Sequence, residues 1–178
     1  MENFDCFKFL DPSEKPLVYI NKSLKKNAGN GIFAKNNILA GTPIIIYFGD
    51  ILSNDDIFDK YTSDKNEYIL NYAPYLRKSG IENYHINGKT AEYIDSLNLK
   101  GYLVNDYLCI ESITTENINK YNESKEKNNV YVKETKDFPI YCASRNIKKG
   151  EELYCHYGIA NWLLQKNCDL EKIKNLVF

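Results

Sequence analysis

Short apolar runs separated by polar, glycine-punctuated breaks run along most of the chain, a rhythm that predicts short strands rather than long helices. Leu17-Val18-Tyr19-Ile20 is the first run, and Asn21 to Asn27 follows it as a polar loop. Ile44-Ile45-Ile46-Tyr47-Phe48 is the most apolar; Pro43 precedes it and Gly49-Asp50 breaks it, predicting a buried strand of limited length. Tyr93-Ile94-Asp95 predicts another short strand, and Val130-Tyr131-Val132 with Ile140-Tyr141-Cys142-Ala143 a strand pair. Leu153-Tyr154-Cys155 predicts a strand after the exposed turn Lys148 to Glu151, and Tyr157-Gly158 ends it.

Two internal stretches depart from this rhythm. Ser53 to Lys89 has Ile57, Phe58 and Tyr61 at helical spacing and a strand-like run from Tyr68 to Tyr72, but Pro74, Gly80 and Gly88 divide it. It reads as an insertion with little regular structure of its own. Thr114 to Asn129 is dense in Asn, Lys and Glu and reads as a mobile surface loop. Before the first run, Phe4, Phe7, Phe9 and Leu10 lie between polar residues, so 1–16 reads as an extension packed on the domain. The organisation expected is therefore an extension at 1–16, one domain at 17–165 with its insertion at about 53–89, and a tail at 166–178.

Composition narrows the class. Of 178 residues, 43% are hydrophobic and 13% aromatic, enough for the core of one domain. A net charge of -1 and a pI near 6.2 leave no global basic field, which argues against direct nucleic-acid binding. Cysteines stand at 6, 109, 142, 155 and 168 with no C-x-x-C pair, so no zinc site or other metal is expected. Free thiols, no secretory leader and no apolar run long enough for a bilayer predict a soluble intracellular protein away from membranes.

Chemistry concentrates in three places. Gly29-Asn30-Gly31-Ile32-Phe33-Ala34 places two glycines around one residue, letting the backbone turn tightly and approach a ligand. On its own the pair is explained more readily by a turn between strands, and a dinucleotide fingerprint is not met, because the third glycine and the following helix are missing. Gly101-Tyr102-Leu103-Val104-Asn105-Asp106-Tyr107 interrupts an apolar aromatic run with a polar pair, which needs hydrogen-bond partners or a ligand. Gly150-Glu151-Glu152-Leu153-Tyr154-Cys155-His156-Tyr157-Gly158 leads to Trp162, the one tryptophan.

In this order, together with Tyr47-Phe48-Gly49-Asp50, these segments resemble the SET-domain protein-lysine methyltransferases, over about Val18 to Trp162. They match the family's G-x-G-[VI]-x-A, its Y-x-G-E with Asp50 for glutamate, and its G-E-E-L-x-x-x-Y-G, with Cys155 and His156 departing from the usual residues. Tyr93-Ile94-Asp95 matches the strand before R-F-x-N-H-S, of whose Asn-His pair Asn105 is kept and Asp106 replaces the histidine. Without flanking zinc modules, the chain is similar to the small, zinc-free branch, including short viral members, or to PR-type domains. The resemblance implies a mainly β SET-type fold with short helices, a knot-like C-terminal crossing and a central insertion.

It further implies S-adenosyl-L-methionine as cofactor and a protein lysine as substrate, a histone tail among the candidates, with a nuclear or host-nuclear location in view. Tyr157 takes the catalytic position, with Tyr68 a second channel tyrosine or a plain core residue. Gly29, Asn30, Gly31, Ile32, Tyr47, Asn105, Asp106, Tyr157 and Trp162 take cofactor positions, Trp162 standing equally well as core. Tyr68, Cys155 and Tyr157 take the substrate channel; small Cys155 leaves room for a methylated amine, so di- or trimethyl-lysine is expected. A degenerate SET-like domain that binds a peptide without turnover is the alternative, and the oligomeric state is open, a homodimer included.

Overall fold

The computed structural model describes residues 15–53, 69–71, 84–108, 114–135, 138–158 and 162. Three small antiparallel sheets and short helices make up the described part. β1 (Val18–Lys22) pairs with β2 (Asn30–Ala34) in register from Val18 opposite Ala34 to Lys22 opposite Asn30. β3 (Pro43–Ile46), β7 (Val130–Lys133) and β8 (Ile140–Ala143) form a second sheet with β8 in the centre. β4 (Asp50–Ser53), β5 (Ile69–Asn71) and β6 (Tyr84–Asn87) form a third, with β6 in the centre.

Burial follows from the runs. Ile44, Ile45 and Ile46 are essentially inaccessible, and β8 is buried along its whole length. Each such side chain contributes roughly 1.5–3 kcal/mol by leaving water. The main core joins Ile32, Ala34 and Ile45 to Val104, Tyr141, Leu153 and Cys155, so all three chemistry-bearing segments pack into one interior. The strand pair β7–β8 forms as expected, with Val132 opposite Tyr141.

The C-terminal segment is woven between its neighbours by single bridges instead of a strand. Leu153 donates to the Ile32 carbonyl at 2.8 Å, and Phe33 bridges Glu152. One residue on, Asn105 and Tyr154 form a parallel bridge, with the Cys155 amide on the Asn105 carbonyl at 2.9 Å. The amides of Asn129 and Val130 reach the Tyr154 carbonyl from the other side. A segment whose backbone groups are shared among β2, Asn105 and β7 has no single partner strand, which is why Leu153-Tyr154-Cys155 does not form the strand expected.

Three other expectations are corrected. Thr114 to Asn129 is ordered: helix α1 (Thr115–Glu123) is followed by a 3-10 turn, Ser124–Lys127. Thr114 caps the helix by accepting from the Asn117 amide, and Ile118 and Tyr121 are buried one turn apart. The insertion carries β5 and β6 of the third sheet, so it is more regular than its glycines and proline suggest. Tyr93-Ile94-Asp95 is no strand; Gly88–Tyr93 is a 3-10 helix started by Asn87, and Ile94 turns back onto the Ala91 carbonyl at 3.2 Å. Ile57, Phe58, Tyr61 and Tyr68 lie outside the described residues, as do 1–14.

Candidate functional site

A cavity of about 580 Å³ lies beside the start of β2. Gly29, Asn30 and Asn105 give it a polar wall, and Ile20, Leu103 and Tyr102 an apolar and aromatic one. Lys89, Lys100 and Glu92 bring charge to its rim. Lys100 is held by the carbonyls of Ala91 and Glu92, at 2.5 and 2.9 Å from its ammonium nitrogen. The volume falls within the range that holds a small organic ligand.

Behind this wall sits Glu152, a carboxylate only 1% exposed. Its Oε1 accepts from the Ser23 hydroxyl at 2.6 Å and from the Asn105 amide at 3.2 Å. Its Oε2 accepts from the Leu24 backbone amide at 2.8 Å and the Tyr154 hydroxyl at 2.5 Å. All four donors are needed, since a buried carboxylate short of partners carries a large desolvation cost. Asn105 also donates to the Asn30 carbonyl at 3.1 Å, tying the polar pair to the glycine turn. Gly31 is glycine for a visible reason: a Cβ there would lie 2.2 Å from Glu152 Oε1. The loop that Glu152 anchors also places the Lys25 ammonium 3.5 Å from the Tyr107 ring centroid, a cation–π contact.

Tyr157 is tied to Val104, the residue before Asn105. Its hydroxyl donates to the Val104 carbonyl at 2.6 Å, and its ring stacks on Trp162 with centroids 6.0 Å apart. Asp106 holds this corner: its Oδ2 accepts from the Tyr157 amide at 3.0 Å, the Trp162 indole at 3.1 Å and the Tyr121 hydroxyl at 2.5 Å. Gly158, which follows, has φ +89°, a left-handed conformation that favours glycine.

The groups around Tyr157 keep their protons. Burial, and then the neighbouring Tyr47 and Asp106, push the Tyr157 hydroxyl well above its usual range. Tyr141 is raised in the same way, by burial first and then by Cys155, Tyr157 and Tyr47. Burial, with the Asp106 carboxylate adding, lifts the Cys155 thiol to about 12. A thiol held so high is a poor nucleophile, which removes Cys155 as a covalent catalyst. Protonated hydroxyls, a protonated thiol and the one carboxylate of Asp106 thus stand around Tyr157.

Of the residues assigned from sequence, Gly29, Asn30 and Asn105 line the cavity. Gly31, Ile32, Tyr47, Asp106, Tyr157 and Trp162 are not in its lining. Ile32, Tyr47 and Cys155 share the main core, whereas Trp162 packs with Tyr121 and Tyr157. Tyr68 lies outside the described residues. The sequence reading passed over Glu152 and Tyr121. The place of Glu152 within the Gly150-Glu151-Glu152-Leu153 motif was the available signal for the first, and the Ile118–Tyr121 spacing behind Thr114 for the second.

Comparison with known proteins gives the family and the fold. The SET domain family model matches residues 29–158, from the first glycine of the turn to Gly158. The chain belongs to the SET domain family. Among solved structures it is similar to the methyltransferase domain of human PR domain-containing protein 2, at 19% identity and a TM-score of 0.53. That match covers 82% of this chain and 80% of the other, and it shows a shared fold. No curated protein sequence matches. Within this SET domain the matched span contains the glycine turn, Asn105, Glu152 and Tyr157, the residues on which the geometry above is built. Among the described residues no helix is long and apolar enough to cross a membrane.

Proposed function

We propose that this SET domain is an S-adenosyl-L-methionine-dependent protein-lysine N-methyltransferase, with a histone tail among its candidate substrates. The observation that carries the proposal is the placement of the Tyr157 hydroxyl on the Val104 carbonyl, one residue from the Asn105 that lines the cavity.

The cavity fits the cofactor's chemistry. An amino acid end needs cations for its carboxylate and an anion for its ammonium, and Lys89, Lys100 and Glu92 offer both. The backbone at Gly29 and Asn30 and the Asn105 amide supply polar groups, and Ile20, Tyr102 and Leu103 the surface for a flat, weakly polar ring. When bound, the cofactor supplies a methyl group activated on a sulfonium.

What the protein adds is deprotonation and alignment. A lysine amine has a pKa near 10.4 in water and enters mostly as ammonium. Burial among the Tyr157, Tyr141 and Cys155 side chains, beside the sulfonium of the bound cofactor, disfavours that charge more than the single Asp106 carboxylate, whose Oδ2 already serves three donors, favours it. The proton is therefore lost to solvent as the side chain enters. Tyr157 is no general base, because its hydroxyl is protonated and already donates to Val104. Its oxygen lone pair remains available to orient the amine and the methyl hydrogens through weak C–H···O contacts. Holding the two reactants in line removes roughly 7–11 kcal/mol of barrier.

The test is incubation of the protein with methyl-labelled cofactor and mixed histones, beside a calorimetric titration with cofactor alone. Cofactor binding with label on a lysine is expected. Binding without transfer to any protein would turn the reading into that of a peptide-binding module, and absence of binding would end it.

A further inference from the structure

We infer that Asp106 and Tyr121 form a positioning pair that sets the direction of the Tyr157 side chain, which makes helix α1 part of the site although none of its residues lines the cavity. The inference rests on the role proposed for Tyr157.

The geometry is a clamp on two consecutive backbone amides. The Tyr157 amide donates to Asp106 Oδ2 at 3.0 Å, and the Gly158 amide donates to the Tyr121 hydroxyl, also at 3.0 Å. That hydroxyl donates to the same Asp106 oxygen at 2.5 Å, closing the loop Tyr157, Gly158, Tyr121, Asp106. Asp106 is 7% exposed and Tyr121 fully buried, so the bond between them is shielded from water, while the two amide bonds are half-buried. The Tyr157 side chain is therefore held at both ends: its backbone by the clamp, its hydroxyl by Val104.

The residue types suit the task. An ionised carboxylate is acceptor-only and can serve several donors, as Oδ2 does for Tyr157, Tyr121 and Trp162. Asparagine offers one such oxygen without the negative charge, and its amide nitrogen would meet the Leu108 amide that now donates to Oδ1 at 3.5 Å. Tyrosine at 121 both accepts and donates, which phenylalanine cannot do. The rings of His156 and Trp162 pack on Tyr121, at 4.4 and 6.4 Å between centroids, and would hold a phenylalanine in the same place. Tyr121→Phe thus removes the relay and leaves the packing.

The effect is specific because the clamped amides flank the side chain whose oxygen must meet the reacting groups. A displacement of about 1 Å in such a group costs on the order of 100-fold in rate. A bond that only stabilised the fold would lower melting temperature without a matching change in kcat.

The experiment compares Tyr121→Phe and Asp106→Asn with wild type by amide hydrogen exchange, Trp162 emission and kinetics with S-adenosyl-L-methionine and histone substrate. Tyr121→Phe should reduce protection at Gly158 by about tenfold or more while the amides of β2 and β8 keep theirs. Asp106→Asn should extend the loss to Tyr157 and shift the emission of Trp162, whose indole donates to Asp106. Both should lower kcat about 100-fold with cofactor KM changed less than about twofold. Unchanged protection at Gly158 in Tyr121→Phe, loss spread evenly over the domain, or local loss with wild-type kcat would each overturn the inference. If the wild type transfers no methyl group, the functional proposal fails on its own. Exchange and emission then decide whether the pair holds Tyr157.

Discussion

The Tyr157 hydroxyl donates to the Val104 carbonyl at 2.6 Å, and Val104 immediately precedes Asn105 in the cavity wall. One hydrogen bond thus links Tyr157 to the segment that lines the cavity. Tyr157→Phe removes that bond and little volume. Its net cost in stability should be about 0.5–1.5 kcal/mol, read by urea unfolding, with cofactor affinity by calorimetry unchanged within about twofold. A large loss of fold would show that the hydroxyl acts as a structural group alone.

Asn105→Ala should weaken cofactor binding and also loosen the glycine turn. Its amide donates both to Asn30 and to Glu152, so truncation strips one acceptor bond from each. A penalty of about 1–3 kcal/mol is expected in cofactor affinity. Calorimetry on the folded variant checks it, and unchanged affinity would remove Asn105 from the binding wall.

Gly31→Ala drives a methyl group into the Glu152 carboxylate, which Ser23, Leu24 and Tyr154 hold in place. The collision is with a side-chain oxygen, but one with no room to swing aside. Destabilisation of roughly 2–4 kcal/mol is expected, in the range of overpacking plus a lost buried bond. Thermal melting of Gly31→Ala against Gly29→Ala separates the effects. At Gly29 no atom lies within 4 Å of an added Cβ, and the strain is that of φ +68° alone.

Product degree should depend on Cys155. It is small, 5% exposed, and shares the core with Tyr47, Tyr141 and Val104. Di- or trimethyl-lysine is expected from the wild type, and Cys155→Tyr should shift the product towards monomethyl. The larger ring should also cost about 1–3 kcal/mol by overpacking. Mass spectrometry at exhaustive conversion, with melting of the variant, tests both. Monomethyl product from both proteins would show that residue 155 does not gauge the space.

Stability should fall on mild acidification. Burial holds the His156 imidazole below its ordinary value; Asp106 opposes this and Lys125 adds to it. Its Nε2 is buried without a hydrogen-bond partner. The unfolded chain therefore binds this proton more readily than the folded one. Stability is full above about pH 6.5 and is lost as pH falls through the lower folded value. His85 is depressed by burial in the same direction, so His156→Phe should remove only part of the slope. Urea unfolding between pH 7.5 and 5 gives the answer, and an unaltered slope in His156→Phe would assign the effect elsewhere.

The chain wrote some of this into its local pattern and hid the rest in long-range contacts. β3, β7 and β8 were legible because β-branched and aromatic residues cluster there between breakers. Helix α1 was not, since only Ile118 and Tyr121 face inward and the other residues resemble a solvated loop. The role of Glu152 depends on Ser23 and Leu24, more than a hundred residues earlier, so its neighbours in sequence describe an exposed turn instead. The Asn105-Asp106 pair was recognisable as polar residues in need of partners. Which partners they find depends on Glu152 for one and Tyr121, Tyr157 and Trp162 for the other.

The most direct test is methyl transfer itself, followed by mass spectrometry that locates the modified atom, for wild type and Tyr157→Phe at equal cofactor occupancy. Wild-type protein with labelled S-adenosyl-L-methionine and mixed histones should place methyl groups on lysine side chains. Tyr157→Phe should do so on the order of 100-fold more slowly. Transfer at equal rates by both proteins, or label found on a residue other than lysine, would contradict the account.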